Sequence, residues 1–190
     1  MNFKDLEKIN TFATTNASNA LSKITGSPSA ISYFKVAIGN VETFQPLMDD
    51  KEIKVATLVP LTQALEGASM LVLKMEDALI LSRLFLRRKS STDKELSEIE
   101  ISAINEIGNI VTGSYTTILS DMLGKQILPQ APIFTSGEFD SLISQFRKSV
   151  KPASKKVVVI DVTFSIKQLT LTGKLFVILK LADMEDDLKN

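Results

Sequence analysis

The chain contains no cysteine and no histidine. The first absence excludes disulfides, thiol nucleophiles and sulfur-ligated zinc. The second excludes imidazole metal sites and every catalytic triad that needs a histidine base. Any catalysis must therefore use carboxylates, amides, hydroxyls, lysines or a group supplied by a partner. An excess of charge is also missing: Lys plus Arg number 22 and Asp plus Glu number 22. That balance, without a basic stripe, gives no electrostatic case for a nucleic-acid partner. No window holds the roughly 18 uninterrupted apolar residues of a spanning helix. The first twelve residues are charged and lack the apolar core of a signal peptide. The expected location is cytoplasmic. What the 190 residues do have is 44% apolar content, enough for a packed core.

Hydrophobic spacing divides the chain into elements. Phe3, Leu6, Ile9, Phe12, Ala13, Ala17, Ala20, Leu21 and Ile24 recur at helical steps, and Gly26 stops that helix. Ala30–Ile38 reads as a strand, Gly39-Asn40 as a turn, and Val41–Asp50 as irregular around Pro46. Ile53–Pro60 and Ala68–Lys74 read as neighbouring antiparallel strands, joined by a connection containing Gly67, and Met75–Arg88 as a helix. Lys89–Asp93 is a linker. Thr92 followed by Glu95 fits a capping box, so the central helix is expected to start near Asp93 and to run to Gly124. Beyond it, Gln126–Thr135 reads as a strand that Pro129 and Pro132 confine to a sheet edge or an irregular entry. A short helix is expected near Phe139–Phe146, strands at Lys156–Ile166 and Leu169–Leu181, and a fraying acidic tail.

The order of elements repeats: long helix, strand, irregular piece, strand, strand. Leu6–Gly26 aligns on Ile104–Gly124 without a gap, matching Ile9 with Ile107, Thr14 with Thr112, Leu21 with Leu119, Ser22 with Ser120 and Gly26 with Gly124. Self-similarity of this kind points to a tandem duplication. The expected fold is α+β, with pseudo-twofold helix–strand repeats of about residues 1–88 and 92–190 in one domain. Both long helices should pack on one face of a shared, mainly antiparallel sheet.

Ser102, Glu106 and Asn109 stand out on the central helix. At about 100° per residue they fall within roughly 60° of one another, about a quarter turn from the stripe through Leu96, Ala103, Ile107 and Ile110. Gly108 and Gly113 each cost the helix about 1 kcal/mol relative to Ala, a cost that often marks a close approach to the helix. Both are expected on the face that carries Glu106 and Asn109. A lone Glu-x2-Asn pair on a helix is ordinarily a solvated surface pair, and carries little by itself. Helix 1 has Lys8 and Thr11 at the matching positions.

The run Glu106-Ile107-Gly108-Asn109-Ile110, continued by Thr112-Gly113-Ser114-Tyr115 and closed by Leu119-Ser120-Asp121-Met122-Leu123-Gly124, resembles the second-repeat helix of CheC. CheC belongs to the CheC/CheX/FliY chemotaxis phosphatases. The family motif is Asp or Ser, three residues, Glu, two residues, Asn, then a Pro a little over twenty residues on. Ser102, Glu106, Asn109 and Pro132 fit it, whereas the first repeat reads Lys4, Lys8 and Thr11. One site is therefore expected where relatives often carry two. No further module follows in this sequence, unlike the flagellar-switch members with an added C-terminal module.

The resemblance implies hydrolysis of the aspartyl phosphate of a CheY-type response regulator. In that scheme Asn109 orients the attacking water, Glu106 anchors the regulator by pairing with a lysine, and Ser102 and Pro132 support. No cofactor of the chain's own is implied; the divalent metal, Mg, belongs to the phosphorylated regulator. Three alternatives stay open: a non-catalytic binding module for a phospho-regulator or the flagellar switch, a regulator of a CheD-type deamidase, and a CheX-like homodimer. The duplication favours a monomer.

Overall fold

The structure is a computed structural model that describes residues 3–41, 52–89, 93–150 and 156–180. Helix α1 (Phe3–Thr25) leads into β1 (Ala30–Asn40). Strands β2 (Lys54–Gln63) and β3 (Gly67–Lys74) are followed by α2 (Met75–Phe85) and the long α3 (Glu98–Leu123). Then come β4 (Ile127–Pro129), β5 (Ile133–Gly137), α4 (Phe139–Ser149), β6 (Lys156–Ile166) and β7 (Leu171–Lys180).

All strand pairings are antiparallel, and the sheet runs β1-β6-β7-β3-β2-β4, with β5 also on β2. This order is a palindrome of the two repeats. The third strands, β3 and β7, meet at the centre. The first strand of each repeat crosses to the far edge and pairs with the other's second strand, β1 on β6 and β4/β5 on β2. The edge formed by β4 and β5 is one strand interrupted where Pro129 and Pro132 cannot donate. Gln130 N bridges the break by donating to Pro60 O at 2.9 Å.

The alternation of each strand sorts its side chains between two cores. Val158, Ile160 and Val162 of β6 face a core shared with Leu6, Ile9 and Leu21 of α1 and Ile104, Ile107, Val111 and Leu119 of α3. Val157 and Val159 face a second core under Leu142, Ile143 and Phe146 of α4. Both long helices therefore lie on one face, side by side, as expected, and the short α4 covers part of the other. A buried polar contact joins them: Tyr115 donates its hydroxyl to Asn10 Oδ1, and burial holds the phenol far above its ordinary pKa, so the donor stays protonated. The matched serines of the sequence repeat have matched roles. Ser22 Oγ accepts from Ser29 N at 2.8 Å, and Ser120 Oγ accepts from Ile127 N at 3.1 Å. Each holds the start of its repeat's first strand against the end of its own helix.

Several expected boundaries move. Helix α3 begins at Glu98, not near Asp93, and its capping box is Ser97 with Glu100. Thr92 lies outside the described residues, as do 42–51 and the acidic tail. The spacing of a capping box occurs twice in this stretch, and tertiary structure selects the second. Glu100 accepts from Ser97 N at 2.9 Å and Ser97 Oγ at 2.7 Å, and also takes Arg83 Nε of α2 at 2.8 Å. Gly39, Asn40 and Gly67 are strand residues rather than turns, paired with Val157, Lys156 and Leu61. Helix α2 ends at Phe85, three residues early, and α4 runs three residues further, to Ser149. A single 3-10 turn at Lys167–Leu169 delays β7 to Leu171. The left-handed Gly124, φ 62°, ends α3 as expected.

Two expectations follow. The Ser97 amide above all, with the Ser97 hydroxyl and Arg83, holds the Glu100 carboxyl down to about 2 from an ordinary 4.5, against the opposing effect of burial. A depressed carboxylate adds stability that is complete above the unfolded value and is lost as pH falls toward the folded one. Glu100→Ala should cost about 3 kcal/mol at pH 7, because it removes the carboxylate that Arg83 Nε donates to and opens the cap. In urea titrations the gap between wild type and Glu100→Gln should narrow between pH 5 and about pH 2; a gap independent of pH would remove the carboxylate from this role. The second expectation concerns the two helix glycines. A Cβ on Gly108 would stand 2.5 Å from Thr57 Cγ2, whereas one on Gly113 would meet nothing within 4 Å. Gly108→Ala should destabilise by about 1–3 kcal/mol, and Gly113→Ala should stabilise by up to about 1 kcal/mol, both read from thermal or urea unfolding.

Candidate functional site

Helix α3 has a sheet-facing side, a side turned to α1, and an outer side. Ile104, Ile107, Gly108, Val111 and Tyr115 are buried. Ser102 and Glu106 are exposed, Asn109 and Gly113 are partly exposed, and the four fall on one outer strip. The structure thus brings together the three helix residues singled out from sequence. It corrects the expected place of Gly108, which lies about a quarter turn from that strip and points inward. What approaches it closely is Thr57 of β2, itself buried. Gly113 lies on the strip, with open space above it.

Thr57 fixes the depth and turn of the helix. Its hydroxyl lies 3.3 Å from both Ile104 O and Asn105 Oδ1, while its methyl faces the bare Cα of Gly108. A second hydroxyl pair, Thr112 Oγ1 donating to Ser69 Oγ at 3.0 Å, ties the next turn to β3. With the inner side held at both turns, Glu106 and Asn109 are left facing outward.

Among the described residues neither the Glu106 carboxylate nor the Asn109 amide has a hydrogen-bond or ion-pair partner. Both remain available to something outside the chain. Ser102 differs, because its hydroxyl donates to Glu98 O at 3.0 Å on its own helix and keeps only acceptor capacity for a partner. Pro132 is partly buried and stands immediately before β5. Two residues on, Phe134 pairs with Thr57 and packs into the main core. Pro132 therefore shapes the edge of the sheet beside the strand on which α3 rests. Asn105 was not singled out from sequence, although its i, i+4 relation to Asn109 was there to find. It is partly buried and engaged with Thr57.

The strip offers a carboxylate and a carboxamide one turn apart on a rigid helix. Such a pair can fix a partner's cation and orient a water, since an amide oxygen accepts while its NH2 donates. Among the described residues no group of three His, Cys, Asp or Glu side chains is placed to hold a metal. No helix among them is long and apolar enough to cross a membrane.

Comparison with known proteins bears on these same elements. The profile of the CheC-like family matches residues 99–136, which run from the first turn of α3 into β5. CheY-P phosphatase CheC of Bacillus subtilis (strain 168) is 33% identical over 60 residues, 32% of this chain and 29% of that protein. The match thus spans less than a third of that relative's length. Over 94% of this chain and 89% of its own, FliY of Thermotoga maritima superposes with a TM-score of 0.68 at 26% identity. CheX in the CheX–CheY–BeF3–Mg complex of Borrelia burgdorferi shares the fold, with a TM-score of 0.56, 19% identity, 91% of this chain and 96% of that one. The family profile lies on the helix that carries the strip, and the whole-chain likeness extends through the interlocked sheet, so the chain is similar to the CheC-like family both at the strip and in its fold.

Proposed function

We propose that this chain is a phosphatase of a CheY-type response regulator in chemotaxis, hydrolysing its aspartyl phosphate at the Glu106–Asn109 strip. The observation that carries the reading is the pair itself. It lies outward on a helix anchored from within at Thr57, and has no partner in the described chain. The curated relative named CheY-P phosphatase and the CheX–CheY complex of a structural neighbour give the class of partner.

An acyl phosphate is a mixed anhydride and already activated, so little covalent chemistry is left for the phosphatase. Placing a water in line with the breaking P–O bond is mainly a matter of orientation. Asn109 takes that task. Its amide oxygen accepts from the water, which directs a lone pair at phosphorus, and its NH2 donates to a neighbouring oxygen. As the bond from the water oxygen to phosphorus forms, the bond from phosphorus to the aspartyl oxygen breaks; the regulator's aspartate departs as a carboxylate, and the water's proton passes to an oxygen of the released phosphate. Glu106, exposed one turn away, pairs with a lysine of the regulator and fixes the register of the two surfaces. Ser102 borders the contact as an acceptor, and Pro132 sets the edge strand beside it. Magnesium belongs to the regulator's own phosphorylation site. One chain supplies both long helices and the full palindromic sheet, which supports action as a monomer.

A second reading rests on the same observation: an outward pair without a partner in the described chain serves a non-catalytic docking site for a phospho-regulator as well as it serves catalysis. Phosphate release separates the two. Asn109→Ala removes no hydrogen bond within the described chain and installs a better helix former, so the fold should be unaffected. In the phosphatase it should lower kcat by about 100-fold or more while regulator binding persists. Full activity in that variant would sink the mechanism. Glu106→Lys should instead weaken binding, by about tenfold or more. Changes at Lys8 or Thr11, at the matching positions of α1, should leave phosphate release within about twofold of wild type; a large loss there would restore a role to the first repeat.

A further inference from the structure

Between the two long helices opens a cleft of about 410 Å³. Its walls are α1 from Asn16 to Ile24 and α3 at Ile110 and Ser114. Asn16 Nδ2 donates to Ser114 O at 2.7 Å and pins the two walls together. Ile24 and Ile110, both partly buried, give the cleft apolar lining, and Asn19 and Lys23 are exposed on the α1 side. The cleft adjoins the strip. Ile110 directly follows Asn109, and at about 100° per residue Glu106 stands between them around the helix. A surface docked on Glu106 and Asn109 therefore reaches the α1 wall at its next step.

Lys23 is the one charged residue lining the cleft. Among the described residues no carboxylate pairs with it. On the α3 side of the same seam Glu106 stands one turn before Ile110, exposed and without a partner among the described residues. A partner complementary to the whole seam thus presents a cation toward α3 and an anion toward α1, with an apolar group between them over Ile110 and Ile24.

We propose that Lys23 is a specificity-determining residue, and that the α1–α3 cleft is a second, non-catalytic contact for the regulator seated on Asn109. The occupant is a protein surface with an aliphatic side chain over Ile24 and Ile110 and a carboxylate against the Lys23 ammonium. The inference rests on the regulator-phosphatase reading, and extends the recognition surface from one helix to two. Regulators lacking that carboxylate fit Asn109 equally well and are discriminated at binding, not at the chemical step.

The test compares Lys23→Glu with Lys4→Glu, which makes the same change in net charge at the far end of α1. The probe is whichever CheY-type regulator the wild-type chain binds tightest in its beryllofluoride–magnesium state. Lys23→Glu should raise Kd, and KM for phosphate release, by about fivefold to tenfold with kcat unchanged. Lys4→Glu should leave both within twofold, and Lys23→Arg should retain wild-type values. A regulator with one docking-face carboxylate reversed to lysine should recover affinity for Lys23→Glu. Lys23 also lies in the last turn of α1, where a cation complements the helix dipole. Loss of thermal stability with Kd unchanged would assign it that structural role and overturn the inference, leaving the phosphatase reading intact. Equal shifts from Lys23→Glu and Lys4→Glu would also overturn it, as an effect of overall charge. Failure of the wild-type chain to bind any such regulator would overturn the parent reading, and the inference with it.

Discussion

Helix α3 can lie as close to β2 as it does because position 108 carries no side chain. Thr57 fills that space with its methyl and presents its hydroxyl to Ile104 O and Asn105 Oδ1. The contact sets the distance between helix and sheet, and also the rotation of the helix about its axis. A residue with a Cβ at 108 would lift or turn the helix, and the outer strip would turn with it. Site geometry here depends on a contact on the inner side of the helix, away from the site, as close packing requires when an interior has no slack. The buried Arg83–Glu100–Ser97 group fixes the other variable, where along the chain the helix begins.

The interlocked sheet explains why so plain a surface can be held so firmly. Each repeat gives its first strand to the other, so neither half closes its own core. Helices α1 and α3 share one hydrophobic layer, with Leu6, Ile9, Ala13 and Leu21 facing the same strands as Ile107, Val111 and Leu119. Their outer seam is then a fixed surface with two chemically distinct ends, Glu106 with Asn109 on one helix and Lys8 with Thr11 at the matching positions of the other. The palindromic sheet supplies the rigid frame, and the exposed residues that differ between the two helices leave the carboxylate–amide pair on α3 alone.

Much of this was legible in the sequence because it is periodic. The 3.6-residue rhythm located α1 and α3, the alternation in Lys156–Ile166 located β6 to the residue, and Pro129 with Pro132 pointed to a broken edge strand. The outward placement of Ser102, Glu106 and Asn109 followed from helical geometry alone. What escaped was decided by partners remote in sequence. Two capping signals lay within nine residues, Thr92–Glu95 and Ser97–Glu100, and it is the second that Arg83 engages. Gly108 announced a close approach, but its direction required Thr57, 51 positions earlier. Gly39 and Gly67 read as turns because the ladder partners Val157 and Leu179, each more than a hundred residues away, leave no local mark. Asn105 looked like one more surface amide, and Lys23 like an ordinary cation in a last helical turn.

The crossing of first strands has a temporal side. Ala30 finds its ladder partner at Ser165, and Asn40 finds its own at Lys156. A ribosome that has released the whole first repeat has therefore made a strand with no neighbour to accept it. Closing so long a loop is also slow once the chain is free. Until β6 emerges, β1 has no ladder partner and is available to any other extended segment, including the same segment of a sister chain. The exchange that makes the mature molecule a single unit thus sets its hour of greatest risk late in its own synthesis, and makes a chain broken off before Lys156 a far better candidate for aggregation than for partial function.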